Sequence, residues 1–253
     1  MLIRSFFVVF HLICVIITAI SERGDCRVES TYLYLLAALV VCWAQMRVQG
    51  AYQRYKRIEN ENHISGAEAA RSILDANGLQ DVTVEVAQGG ILSDHYDPTK
   101  HAVRLSPDIY YNCSIASLAV AAHEVGHAIQ HKEQYGFIAV RNRLLPAAQI
   151  ASKLGWLTLL LGLFFLYATP LLLYIGIGML VIIALFQLVT LPLELNASSR
   201  ALVQLQQGSY VMEDEVSDCR SMLRAAAFTY VAALLSTIVQ IIRIVLIAQR
   251  RDD

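Results

Sequence analysis

The stretch ASLAVAAHEVGHAIQH, residues 116–131, sets His123 and His127 four positions apart, with Glu124 directly after the first histidine. On a helix, residues four apart share one face. Both imidazoles can therefore point a nitrogen at one metal ion, while Glu124 lies beside it, within reach of a water. Two ligands and a general base in an HEXXH pattern are the layout of a zinc hydrolase. The motif lies mid-helix in an apolar run flanked by helix formers, which predicts a zinc helix from about Ser114 to Lys132, ending before Gly136.

Composition places this helix in a membrane protein. Of 253 residues, 56% are hydrophobic and 16% charged, against about 25% charged in a soluble domain. The formal net charge of -1 gives no reason to expect a nucleic-acid partner. Cys14, Cys26, Cys42, Cys113 and Cys219 are scattered without a CxxC pair, so neither a disulfide framework nor a cysteine zinc site is expected.

Five apolar stretches stand out, at residues 5–20, 31–46, 154–168, 171–191 and 225–248. A spanning helix needs roughly 20 apolar residues, so the third and fourth, joined at Thr169-Pro170, predict a membrane hairpin. The first two are short but fit a thin bilayer. The first also resembles a signal peptide, but Thr18-Ala19-Ile20 is a poor cleavage site and an uncleaved anchor is the favoured reading. In the fifth, Thr229, Ser236, Gln240 and Arg243 form one helical stripe, as expected for a face turned to a bundle interior. Arg243 could instead snorkel, and arginines flank both ends, so charge leaves open whether 225–248 crosses the bilayer or lies in its interface. Arg47, Arg54, Lys56 and Arg57 follow the second stretch, whereas the preceding loop balances its charges; the positive-inside rule puts the region after Met46 in the cytoplasm. Leaving and returning through the hairpin brings Glu194 back to the side of His123.

The resulting organisation is an N-terminal anchor or signal-like segment (1–30), a membrane helix (31–46), a cytoplasmic zincin-like catalytic domain (47–153), a transmembrane hairpin (154–191), a cytoplasmic segment (192–224), and a C-terminal hydrophobic helix with a basic tail (225–253). The fold class is membrane α-helical with a small α+β zincin-like domain and four to five membrane-associated helices. Within the polar region, Ser65 starts a helix that stops at Gly78, VTVEV at 82–86 alternates as a half-buried strand, and ILSDHY and HAVRLS flank an Asp97-Pro98 turn as a hairpin. Ser106-Pro107 reads as a helix start with serine as the cap.

A third protein ligand is needed. His131 is on the face of His123, but eight residues rise about 12 Å along an unbroken helix, so it reads as a helix-end surface residue. Glu194, in LPLELNASSRA directly after the fourth apolar stretch, is the better candidate, because a carboxylate at a membrane boundary is costly without a role or a partner. A helix resuming at Asn196 or Ala197 would present it; an interfacial glutamate capping that helix is the alternative.

The stretches 89–131, 191–201 and 225–253 together resemble the YugP-type family of bacterial membrane-bound neutral zinc metallopeptidases. The resemblance covers roughly residues 31–253 and leaves 1–30 outside it, as an extra helix or a misplaced start. It implies one zinc ion held by His123, His127 and Glu194, with Glu124 as base, and a multi-pass protein of the bacterial inner membrane. The motif logic is also similar to that of the HtpX-type membrane proteases, which carry an Asp four residues after the third ligand. Ser198 stands there in this chain, so Ser198 or Asn196 would have to orient a ligand histidine.

The implied chemistry is hydrolysis of a peptide bond, with a protein or peptide substrate and the lipid bilayer as partners. An oxyanion donor or substrate contact could come from His95, Tyr96, Tyr110, Tyr111 or Arg200, each of which also has a plain structural role available, and the hairpin could offer an edge strand to an extended substrate. Two other functions compete: a site-2-type protease cutting within the membrane, and a metal-bound scaffold without turnover. Neither Glu124 nor a ligand is missing, as a scaffold would allow.

Overall fold

The computed structural model describes residues 26–90, 93–165 and 170–249. The first apolar stretch, with the choice between anchor and signal, lies outside the described residues. The elements in chain order are α1 (Cys26–Tyr55), α2 (Gly66–Ala76), β1 (Thr83–Val86), β2 (His95–Asp97), β3 (Ala102–Leu105), α3 (Pro107–Tyr111), α4 (Ile115–Lys132), α5 (Gly136–Phe164), α6 (Leu171–Gln207) and α7 (Glu213–Gln249). The described chain is mostly helical, with one small mixed sheet. It divides into two compact units. One gathers Ala44–Ala139 with Leu191–Thr229; the other gathers Val140–Thr190 with the described residues before Ala44 and after Thr229.

In the first unit, α2 starts where the sequence predicts. The Ser65 side chain accepts from the Glu68 N–H and the Glu68 carboxylate accepts from the Ser65 N–H, a reciprocal capping box. The helix ends at Asn77, and Gly78 takes φ 66°, a left-handed position that costs glycine little. One face, Ala69, Ala70, Ile73 and Leu74, is buried. The sheet has the order β1-β3-β2, with β1 parallel and β2 antiparallel to β3. Central β3 buries Ala102, Val103 and Leu105, and Arg104 ties the flanking strands by donating to Glu85 (3.0 Å) and Asp97 (2.9 Å).

Beside this sheet lies α4. Ser114 caps it by accepting from the Ser117 N–H at 3.1 Å. Ile115, Leu118, Val125 and the helix's alanines join Ile73, Leu105 and Leu205 in one core. A fully buried Leu or Ile contributes on the order of 2 kcal/mol. Tertiary burial of this kind, rather than propensity, holds the motif helix rigid.

Two local expectations are corrected. Ser106 is at the N-cap of α3, but its side chain makes no capping bond. Its hydroxyl and N–H both donate to Asp94 (3.0 and 2.7 Å). No helix restarts at Asn196 either: α6 runs unbroken from Leu171 to Gln207 with Pro192 inside it. Proline removes one N–H and so frees the carbonyl four residues back, a local loss that a long packed helix survives.

In the other unit, Leu159, Leu173, Leu180, Ile244 and Ala248 form a second core. Gly162 allows the Leu173 backbone within 2.6 Å of where its Cβ would be. Leu154, Phe164, Leu171, Leu185, Ile242 and Leu246 remain exposed, as side chains facing lipid would. Among the described residues three helices, α5, α6 and α7, are long and apolar enough to cross a membrane. The stretch at 31–46 forms the middle of α1. On α7, Ser236, Gln240 and Arg243 are 1%, 2% and 3% exposed, so the polar stripe is turned inward, Arg243 included.

Candidate metal centre

Helix α4 carries His123 and His127 on one face, and α6 brings Glu194 to them. All three residues lie in the same compact unit. Glu194 Oε2 is 3.3 Å from His123 Nε2 and 3.7 Å from His127 Nε2, and the three ligand atoms lie within 4.8 Å of one another. Ligand atoms around a tetrahedral zinc with bonds of about 2.0–2.1 Å sit about 3.3 Å apart. Two imidazole nitrogens and one carboxylate oxygen, all half-buried or buried, are a donor set that suits zinc. The residues present fit the ion.

The packing that permits this approach runs through the motif itself. A Cβ on Gly126 would stand 2.8 Å from the Ala197 carbonyl oxygen, closer than real Cβ contacts come. A glycine at this variable position of HEXXH thus lets α6 close on α4 three residues from Glu194.

Each histidine is held from behind. The Ser198 hydroxyl is 3.2 Å from His123 Nδ1, and Gln130 Oε1 is 3.0 Å from His127 Nδ1. Ser198 occupies the position where the HtpX type carries Asp, so a hydroxyl stands there in place of a carboxylate. Burial lowers the pKa of the His127 ring, but the facing Glu194 carboxylate more than reverses this and brings it to about 9. Without an ion the ring therefore keeps a proton that a metal must displace.

Glu124 is 9% exposed. Its Oε2 accepts from the Tyr96 backbone N–H at 3.0 Å. Burial pushes its carboxyl upward, while His123 and His127 pull it back. Tyr96 is in β2, which pairs with β3 along one side only among the described strands, and the N–H that meets Glu124 issues from the other side. The Tyr96 phenol is 3.0 Å from His131 Nδ1. Burial first, then Asp81 and Asp97, push that phenol up to about 12, so it keeps its proton and can donate. His131 is thus no bare surface residue: it is half-buried and anchors Tyr96.

The remaining candidates make contacts of their own. The His95 ring is exposed, with Nδ1 2.8 Å from the Ser93 carbonyl. Tyr110 and Tyr111 meet edge-on in α3, Tyr111 at 66% exposure. Arg200 donates through Nε to Asn196 Oδ1 (2.8 Å) and pairs with Glu133 (2.6 Å). Sequence reasoning passed over Gln130, Gly126 and the Tyr96 N–H. Only Gln130 left a signal: three residues past His127, it shares that residue's helix face.

A family described as "Putative neutral zinc metallopeptidase" matches residues 30–249 of the chain. The chain belongs to that family. A relative from Bacillus subtilis (strain 168), described as "Putative membrane protease YugP", is 42% identical over 216 residues, covering 85% of this chain and 95% of the relative. No solved structure matches the chain. The resemblance read from the motif blocks is therefore a family membership. For a zinc metallopeptidase family, the meeting of His123, His127 and Glu194 is where the metal is to be sought.

Proposed function

We propose that this chain is a membrane-anchored zinc metalloendopeptidase that hydrolyses peptide bonds at a single-ion site made by His123, His127 and Glu194. The observation that carries the reading is the meeting of these three ligand atoms from two helices, with Glu124 beside them. Zinc held there would supply Lewis acidity to a water and to the scissile carbonyl. Glu124 takes a proton from the attacking water and returns it to the leaving amine. The Tyr96 N–H keeps the Glu124 carboxylate turned toward the site. An extended peptide could lie along the outer edge of β2, beside the point where the Tyr96 N–H meets Glu124. Tyr96 and His95, both on β2, are then the side chains nearest such a substrate in sequence, while the Arg200 guanidinium is engaged by Asn196 and Glu133.

A site-2-type protease would carry its ligand helix within the bilayer. Helix α4 is not among the three described helices with the length and apolarity to cross one, so we favour a site at the membrane surface. The test is cleavage of casein or a quenched peptide by detergent-purified protein. Activity should vanish on chelation and return with zinc; cleavage indifferent to the chelator overturns the proposal, as does a zinc-loaded protein that cleaves nothing.

The orientation we propose is a multi-pass protein of the bacterial inner membrane with the region 47–153 in the cytoplasm, from the basic cluster at Arg47, Arg54, Lys56 and Arg57. Gln80 is exposed just past the end of α2, so Gln80→Cys places a thiol there. A membrane-impermeant maleimide should label it only after cells are opened. Labelling in intact cells reverses the topology.

A further inference from the structure

Gln130 is fully buried, at 0% exposure, and each end of its amide meets a polar group. Nε2 donates to the Leu193 backbone carbonyl at 2.9 Å and to Asn196 Oδ1 at 2.9 Å. Oε1 is 3.0 Å from His127 Nδ1. The Leu193 carbonyl can only accept, so the NH2 end of the amide must face it. The oxygen end is then committed to His127. An oxygen facing Nδ1 requires that Nδ1 carry the proton, which leaves Nε2, the nitrogen beside Glu194, as the one that can bind a metal.

Asn196 is fixed by the same logic. Its Oδ1 also accepts from Arg200 Nε at 2.8 Å, and Arg200 pairs with Glu133 just past the end of α4. Two donors converge on that oxygen, so its orientation is not free. The run His127, Gln130, Asn196, Arg200, Glu133 crosses from α4 to α6 and back. Leu193 immediately precedes Glu194, so one amide reads both the tautomer of one ligand and the register of the helix carrying another.

We propose that Gln130 is the positioning residue of the metal centre: it locks His127 in the tautomer that binds through Nε2 and holds the Glu194 helix in register with it. The proposal rests on the zinc-site reading. Gln130 acts through His127 and touches neither metal nor substrate. A carboxylate could also orient the ring, but it would oppose the Leu193 carbonyl and Asn196 Oδ1; only an amide offers both an acceptor and two donors here.

The experiment measures zinc affinity, by competition with a chromogenic chelator, for detergent-purified wild type, Gln130→Met, Gln130→Glu and His127→Ala. Helix content of each metal-free protein is followed by circular dichroism. Loss of a partner behind a metal-binding histidine lowers affinity roughly 10–100-fold, and that is the result expected for Gln130→Met at unchanged helix content. Gln130→Glu keeps an acceptor for Nδ1–H and should bind more tightly than Gln130→Met. A packing role predicts the reverse order, because methionine fills the buried space and a glutamate charge does not suit it. Wild-type affinity in folded Gln130→Met overturns the proposal whatever the glutamate variant does. Failure of the underlying zinc-site reading looks different: wild type and His127→Ala would then bind zinc equally well or not at all.

Discussion

Glu124→Gln should leave zinc content at the wild-type level while lowering the rate of peptide cleavage by about two to four orders of magnitude. Glu124 is next in sequence to His123 but is not one of the three grouped ligand candidates, so the metal does not depend on it. An amide has nearly the same volume as the carboxyl it replaces, and its oxygen can still accept from the Tyr96 N–H. It cannot take a proton from water. The loss exceeds that range if the same group also returns the proton to the leaving amine. If Glu124 served only the fold, exchanging it for an amide that keeps the Tyr96 bond would cost stability and spare turnover. Casein or quenched-peptide assays at matched zinc content decide between them. Turnover near wild type removes Glu124 from the chemistry.

Glu194→Ala should deplete the purified protein of zinc, with an affinity loss greater than the roughly 10–100-fold that follows removal of a partner behind a ligand. Glu194 faces both imidazoles and is 7% exposed. Alanine leaves two neutral nitrogens where three donors met, and water must replace an anionic ligand. The carboxylate also keeps a proton on His127 up to about pH 9 when no ion is bound. That proton competes with zinc, so wild-type affinity should rise with pH toward 9 and weaken as pH falls below it. In Glu194→Ala the chief cause of the raised value is gone, and the steep part of the dependence should move to lower pH. Metal analysis across a pH series measures both effects. Full zinc occupancy in the variant at neutral pH would exclude Glu194 from the site.

What could be read from the chain was whatever a short window contains. The four-residue spacing of His123 and His127 needs only helical periodicity to face them the same way. Ser65 with Glu68 specifies its own helix start, and the alternation of VTVEV predicted a strand that forms over Thr83–Val86. The apolar stretches predicted long helices because a bilayer selects length and hydropathy, which are properties of composition. The motif blocks pointed to the family for the same reason: they are contiguous.

What the tertiary structure decided was everything that depends on two segments meeting. A helix was expected to resume at Asn196 or Ala197, yet one helix runs from the apolar stretch through Pro192 to Gln207, because a long packed helix tolerates one missing bond. Ser106 offered a cap and gave its hydroxyl to Asp94 instead. His131 could be excluded as a ligand from the rise of a helix alone, but its hydrogen bond to Tyr96 was invisible, since 35 residues separate them. The same holds for Gln130 against Leu193, 63 residues away, and for Gly126, whose missing Cβ matters only because the Ala197 carbonyl comes to fill the space. Local spacing determines which groups one helix can offer to a metal. The partner groups that gather them into a candidate site come from a second helix packed against the first, and no window of sequence contains both.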